Sequence, residues 1–161
     1  MRDEVSVMSQ QKHSIVKQLK RFHHFRYSLV LQGIGVGLIA GLVTIAFRIA
    51  LEKADDLLHL ALDYGSRHPW FIPLWFVLLL AAAGVVTLLL RWEPLISGSG
   101  IPQVEGEMTG RLQQIWWRVL AAKFVGGVLA IGSGLSLGRE GPSIQLGAMA
   151  GKGVAQLAGR S

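Results

Sequence analysis

Apolar residues dominate two long uncharged runs of the chain, residues 27–47 and residues 69–90. Each run exceeds the roughly 20 apolar residues that a helix needs to cross the hydrocarbon core of a bilayer. The buried helices of a soluble protein are the alternative reading, but two such runs in so short a chain favour a membrane protein. The pattern therefore predicts membrane-spanning helices over about 27–50 and 69–91.

A third apolar stretch is too short to cross. Fifteen uncharged residues separate Lys123 from Arg139, and at about 1.5 Å per residue a helix of that length covers only part of the hydrocarbon core. Apolar composition resumes directly after Pro142. This predicts a half-crossing over about 118–137, a break, and a helical continuation over about 142–160. Broken helices of this kind are tolerated in a membrane where they line a cavity or are buried in protein.

Positive charge is concentrated before the first span. Residues 1–26 hold six Lys and Arg, whereas residues 48–68 hold three against four acidic residues. The positive-inside rule therefore predicts a cytoplasmic N-terminus and an outer loop over 48–68. Ile15, Leu19 and Phe22 share one helical face, so 1–26 is predicted to be a cytoplasmic basic amphipathic segment on the membrane surface. A disordered basic tail remains the alternative.

Composition and charge agree with this topology. The chain has 161 residues, 51% of them hydrophobic and 16% charged, with a net charge of +6 and no Cys. The absence of Cys excludes disulfides and thiolate metal sites. The predicted topology accounts for the excess of basic residues, because Lys and Arg are concentrated in the segment predicted to be cytoplasmic. No nucleic-acid partner is therefore expected. The five His are scattered through polar segments, so no metal site and no cofactor are expected.

Charged residues inside the last apolar region carry the main candidate chemistry. In "GREGP", Arg139 and Glu140 stand between glycines, and Pro142 fits the first position of a helix. Free N–H groups at the start of a helix, here around Arg139 and Gly141 with Ser143 and Ile144 behind them, attract anions. A charge within a membrane segment is a functional candidate, and a water-exposed loop between two helices is the alternative.

The same arrangement occurs earlier in the chain. In "SGSGIP", small residues precede Pro102, from which a short helix is predicted to start. Ser99 offers a hydroxyl donor, and Gly100 and Ile101 offer N–H groups. Two helix starts of this type predict two neighbouring stations for one anion, with the Glu140 carboxylate able to occupy a station itself.

Together these motifs identify a family resemblance. "GSGIP" at residues 98–102, followed by "GREGP" at residues 138–142, resembles the CLC family of chloride channels and chloride/proton antiporters. The resemblance begins near Tyr27. It implies an all-α membrane protein, in which 27–161 is the N-terminal portion of an inverted-repeat fold with spanning and re-entrant helices.

The resemblance also implies roles for individual residues. Ser99 matches the serine whose hydroxyl binds the central chloride, with Gly100 and Ile101 beside it. Glu140 matches the gating glutamate, which blocks the outer anion site and moves aside when it is protonated. The backbone around Arg139 and Gly141 would build that outer site. The implied function is chloride transport by a voltage- or pH-gated channel, or by an antiporter that exchanges chloride for protons.

The chain departs from the family in its extent. It ends about one helix after "GREGP", whereas members of the family have two inverted halves and form homodimers. We therefore expect an N-terminal part that is inactive without the C-terminal half. The expected location is the lipid bilayer of a bacterial plasma (inner) membrane, crossed more than once.

Two other classes of function are the alternatives. "GSGLSLG" at residues 132–138 has a loose spacing like that of a dinucleotide-binding loop, but no strand pattern precedes it and no acidic residue follows Glu140. An enzyme is therefore not expected. A non-transporting membrane remnant, or a subunit that only binds partners, stays open as the alternative.

Overall fold

The structure, a computed structural model, describes residues 2–135 and 137–159, with side chains from Val30 onward. This part of the chain is all-helical and contains no strand. Its elements are α1 (Arg2–Arg67), α2 (Phe71–Trp92), a 3₁₀ turn (Pro94–Ile96), α3 (Ile101–Met108), α4 (Trp116–Gly132) and α5 (Glu140–Leu157). The prediction of an all-α protein is confirmed. Two helical segments, Val30–Arg67 and Phe71–Trp92, are long and apolar enough to cross a membrane by length and composition.

The first helix is longer than the pattern predicted. We expected a surface segment over 1–26, a span to about residue 50 and an outer loop over 48–68, but α1 continues without a break to Arg67. The loop prediction was wrong. Residues 42–64 contain no Gly or Pro to end a helix, and the pair Asp63–Arg67, 3.3 Å apart, adds an i,i+4 contact worth about 0.3–0.5 kcal/mol.

Contacts divide the chain into two units, residues 1–37 and residues 38–161. The first unit is the N-terminal part of α1. The second contains the remainder of α1 and every other helix, so it holds both candidate motifs. The core and the candidate site described below belong to this second unit.

Helix α2 is apolar on all sides and buries none of its residues. Leu80 is 72% exposed and Leu88 is 65% exposed. In water such a surface would favour aggregation, because exposed apolar area costs about 25 cal/mol per Å². Lipid removes that cost, so the exposed surface of α2 is what a membrane protein requires.

Two small clusters of buried side chains hold the second unit together. Phe47 and Leu51 of α1 pack with Leu146 of α5, and the Phe47 ring meets Phe124 of α4 edge to face at 5.5 Å. A second cluster joins the 3₁₀ turn to α4 and α5 through Ile96, Val119, Ala122 and Met149. These clusters fix α4 and α5 beside the segment that precedes α3.

Several predicted boundaries move by a few residues. The short helix begins at Ile101 instead of Pro102. The half-crossing predicted over 118–137 is α4, whose 17 residues cover about 25 Å before Gly134 turns the chain with φ +89°. The continuation predicted over 142–160 begins at Glu140 and ends at Leu157. Pro142 is therefore the third residue of α5 and not the first.

Candidate functional site

A tight loop at residues 97–100 leads into α3. Gly98 has φ +67° and Gly100 has φ +85°, conformations that are costly for residues with a Cβ. Gly100 caps α3, and its carbonyl accepts from the N–H of Val104 at 3.1 Å. The N–H of Ile101 donates to Ser99 Oγ at 3.4 Å. Among the described residues the Ser99 hydroxyl donates to no acceptor, so its proton is available to a ligand.

A buried lysine holds this loop from beneath. Lys123 of α4 is only 5% exposed, and its Nζ donates to the carbonyls of Ile96 and Gly98, both at 2.7 Å. Two carbonyl oxygens, which would repel an anion, are thereby engaged by an ammonium group. The same side chain brings a positive charge to the loop that carries Ser99.

A buried glutamine holds the loop from α5. Gln145 is fully buried, and its Nε2 donates to the carbonyl of Leu95 at 2.9 Å and to Oε1 of Gln114 at 3.0 Å. Its own Oε1 lies against Gly100, where an added Cβ would approach it to 2.3 Å. Gly100 is therefore required both for its positive φ and for the space that Gln145 occupies.

The start of α5 lies directly beside this loop. A Cβ added at Gly141 would come within 2.6 Å of the Ser99 carbonyl oxygen, so the first turn of α5 contacts the Ser99 backbone. Gly141 and Pro142 are buried, whereas Arg139 and Glu140 are exposed. Packing thus brings the two motifs, about forty residues apart in the chain, into contact.

The first turn of α5 differs in detail from the prediction. Arg139 caps the helix without a side-chain capping bond, and its carbonyl accepts from Ser143 Oγ at 2.8 Å. Because the helix begins at Glu140, the N–H groups of Ser143 and Ile144 fall within the regular helical hydrogen-bonding pattern. By this pattern the N–H groups without an intrahelical partner are those of Arg139, Glu140 and Gly141.

A cavity of about 610 Å³ opens between these elements. Ser99, Ile101, Glu140, Gly141 and Pro142 line it, so five of the residues selected from the sequence share one space. Further lining comes from Lys123 and from small and apolar residues of α2 and α4, among them Val86, Leu90, Gly126 and Gly127. The cavity therefore combines polar donors on one side with an apolar wall on the other.

Three selected residues, Gly100, Pro102 and Arg139, are not among those that line the cavity. Gly100 is buried behind the loop, against Gln145. Arg139 is exposed at the start of α5 and forms no ion pair within the part of the chain that the structure describes. Among the same residues, no group of three or more His, Cys, Asp or Glu is arranged to hold a metal ion.

Sequence reasoning missed a second polar cluster, which ties α3 to α5. Lys152 pairs with Glu107 and donates to the Gln114 carbonyl at 2.6 Å. Gln114 Nε2 in turn donates to Glu107 at 2.9 Å and to the Gln103 carbonyl at 3.0 Å. The available signal was Lys152, a charge that follows eleven uncharged residues in the last helix and was interpreted only as facing the inner side of the membrane. Lys123 was missed in the same way, because it was read only as the boundary of an apolar run.

Comparison with known proteins agrees with the two motifs. The sequence model of the voltage gated chloride channel family matches residues 81–161. The H(+)/Cl(-) exchange transporter ClcA of Vibrio cholerae is 34% identical over 160 residues, which are 96% of this chain and 33% of that protein. The ClcA proteins of Vibrio vulnificus and Klebsiella pneumoniae are 39% and 43% identical over 126 and 123 residues, about three quarters of this chain. The chain spans about a third of the length of the curated relatives it matches.

Proposed function

The chain belongs to the voltage-gated chloride channel family, the CLC family, and on that premise we propose that it supplies an anion site and a gate for chloride transport across a membrane. The observation that carries the proposal is the shared cavity, in which the Ser99 loop and the Glu140 helix start meet. The transporter would work as a channel or as an antiporter that exchanges chloride for protons. Its relatives named above are chloride/proton exchangers by name.

The inner station of the proposed site is the start of α3. The N-terminus of a helix carries about half a positive charge, and its unpaired N–H groups point along the helix axis toward a ligand. The Ser99 hydroxyl can donate its proton to an anion while Oγ accepts from the Ile101 N–H. Lys123 adds a full positive charge beneath the same loop. The Ser99 hydroxyl and the positive end of α3 suit a monovalent anion.

The gate is Glu140, the first residue of α5. Its carboxylate lies at the positive end of its own helix and lines the cavity. An ionised carboxylate there competes with a chloride ion for the N–H groups around Arg139 and Gly141. Protonation removes the negative charge, so the side chain releases the station and chloride can enter. Anion flux would then depend on pH through this one group.

On this proposal the chain forms one wall of the anion path. Sites of inverted-repeat transporters lie between repeats, so the opposite wall would come from a C-terminal half, and the complete protein would be a homodimer. Residues 1–161 alone would insert into a membrane, with the N-terminus in the cytoplasm, without moving chloride. A bacterial plasma membrane is the location that the named bacterial relatives suggest.

A chimeric transporter tests the gate. Residues 1–161 replace the matching segment of the Vibrio cholerae transporter, and chloride efflux from liposomes is recorded with an electrode across a range of pH. Glu140→Gln mimics the protonated gate, so its efflux should persist and lose most of its pH dependence. Glu105→Gln is the matched control, since Glu105 is an exposed carboxylate outside the cavity lining. A pH profile unchanged by Glu140→Gln would refute Glu140 as the gate.

The same assay applied to residues 1–161 alone tests the need for a second half. We expect no chloride efflux above that of protein-free liposomes. Sustained efflux that depends on Glu140 would instead mean that copies of this chain assemble into a complete path.

A further inference from the structure

Two tryptophans meet where α2 ends and α4 begins. Trp92 is the last residue of α2, and Trp117 is the second residue of α4. Their ring centroids are 6.1 Å apart at an angle of 61°. Trp92 is 47% exposed and Trp117 is 49% exposed, so about half of each ring faces the surroundings of the protein.

Arg118 is held by both rings. Its guanidinium carbon lies 5.8 Å from the centroid of Trp92 and 5.2 Å from that of Trp117, within the range of cation–π attraction. Across the residues that the structure describes, this side chain has no carboxylate and no hydrogen-bond acceptor as partner. Only Nε is enclosed, so the two terminal nitrogens stay open to a ligand. The guanidinium is therefore positioned but not neutralised.

The location fixes the kind of ligand that can reach this group. Helix α2 has the length and composition of a membrane span, so its last residue lies where hydrocarbon gives way to headgroups. Trp rings favour that boundary. Arg91, exposed and also free of ion pairs among the described residues, precedes Trp92 and adds a second cation at the same level.

We propose that Trp92, Trp117 and Arg118 form a binding site for the phosphate of an anionic phospholipid headgroup. The planar fork of an arginine matches two phosphate oxygens, and a headgroup with a net negative charge compensates the two unpaired cations. A zwitterionic headgroup would bring its own cation next to Arg118 and bind less well. This site lies outside the chloride cavity and does not depend on the transport proposal.

The opposite end of α2 provides an internal contrast. Tyr64, Trp70, Phe71 and Trp75 form an aromatic cluster there as well. The arginine nearest to it in the chain, Arg67, is already paired with Asp63. Both ends of α2 therefore have an aromatic belt. The Trp92 end is distinguished by the guanidinium of Arg118, which no carboxylate among the described residues neutralises. Preference for an anionic headgroup should be confined to the Trp92 end.

Tryptophan fluorescence can report on each end separately. A variant with Trp70→Phe and Trp75→Phe keeps fluorescence only at the Arg118 end of the described helices, where Trp92, Trp116 and Trp117 lie. The purified chain is reconstituted in phosphatidylcholine with a small fraction of brominated lipid, which quenches tryptophan on contact. The measured quantity is the ratio of quenching by brominated phosphatidylglycerol to quenching by brominated phosphatidylcholine.

The expected ratio is roughly fivefold, because one basic residue near a surface contributes about that factor toward anionic lipid. Arg118→Gln should reduce the ratio to about one, whereas Arg111→Gln, which removes an exposed arginine without aromatic contact, should leave it unchanged. A variant with Trp92, Trp116 and Trp117 replaced by Phe reports on the other end and should give a ratio near one.

Three results would overturn the proposal. The first is a ratio near one in the parent, and the second is an equal loss in Arg118→Gln and Arg111→Gln, which would indicate general surface charge. The third concerns added salt. If inorganic phosphate lowers the ratio more than chloride does at the same ionic strength, the site binds free phosphate. Circular dichroism checks that Arg118→Gln folds. If it does not, Trp92→Leu, which removes one wall of the clamp, should lower the ratio instead.

Discussion

The starts of α3 and α5 use the same local chemistry and are held in different ways. Each helix has a proline among its first three residues and a glycine shortly before that proline, and each borders the cavity. At α3, Lys123 and Gln145 fix the preceding backbone from two sides. At α5, Arg139 and Glu140 are exposed, and no Cβ added at Gly138 would meet another atom within 4 Å.

This difference suits the two roles proposed above for the helix starts in one anion path. A station that selects an anion needs donors in fixed positions, because selectivity depends on their geometry at short range. A gate needs a side chain that can leave its position without breaking other contacts. Among the described residues, the Glu140 carboxylate has neither a hydrogen bond nor an ion pair. The glycines and prolines of the two motifs therefore do not distinguish the proposed station from the proposed gate. The side chains around each helix start make that distinction.

The largest effect is expected from Lys123→Met. Methionine has a similar size but leaves the carbonyls of Ile96, which is buried, and of Gly98 without a donor, and a buried unsatisfied group costs about 1–3 kcal/mol. We expect a loss of about 3 kcal/mol in the free energy of unfolding, measured by denaturation with SDS in mixed micelles.

Lys53→Met is the matched control, because Lys53 is an exposed lysine with a surface pair at 3.8 Å. Its loss should be at most about 0.5 kcal/mol. Similar losses in both variants would show that Lys123 does not fix the α3 start.

A somewhat smaller effect is expected from Gly141→Ala. The added methyl would lie 2.6 Å from the Ser99 carbonyl oxygen, so α5 must move away from the loop. Overpacking of this kind costs about 2 kcal/mol. Gly138→Ala changes the same motif at a position with open space, and its cost should stay within about 0.5 kcal/mol. Equal costs in the same denaturation assay would mean that the two motifs are not in contact.

The smallest effect on stability is expected from Glu140→Gln. The exposed carboxylate makes no contact that the amide would lose, so the free energy of unfolding should change by less than about 0.5 kcal/mol. Thermal unfolding followed by circular dichroism measures this change. A loss as large as that of Gly141→Ala would mean that Glu140 holds α5 in place and is not free to act as a gate.

Local pattern was sufficient for much of the fold. The lengths of the apolar runs predicted two spans, and α2 was placed to within two residues. Proline and glycine predicted the α3 start to within one residue. The prediction of an outer loop over 48–68 was wrong because charge asymmetry was taken as the end of a helix. Charges at i,i+4 spacing are compatible with a helix, and α1 continues through them.

Local sequence was also sufficient to identify the family and the residues of the two motifs. Apolar length, helix starts and charges inside an apolar run are all properties of neighbouring residues. Tertiary packing decided which groups meet. Lys123 reaches carbonyls 25 and 27 residues away, and Gln145 reaches one 50 residues away. No periodicity encodes such contacts, since they depend on how α4 and α5 pack on the segment before α3. The same packing leaves the Glu140 carboxylate without a hydrogen bond or ion pair among the described residues. It lies beside a loop that Lys123 and Gln145 hold in place.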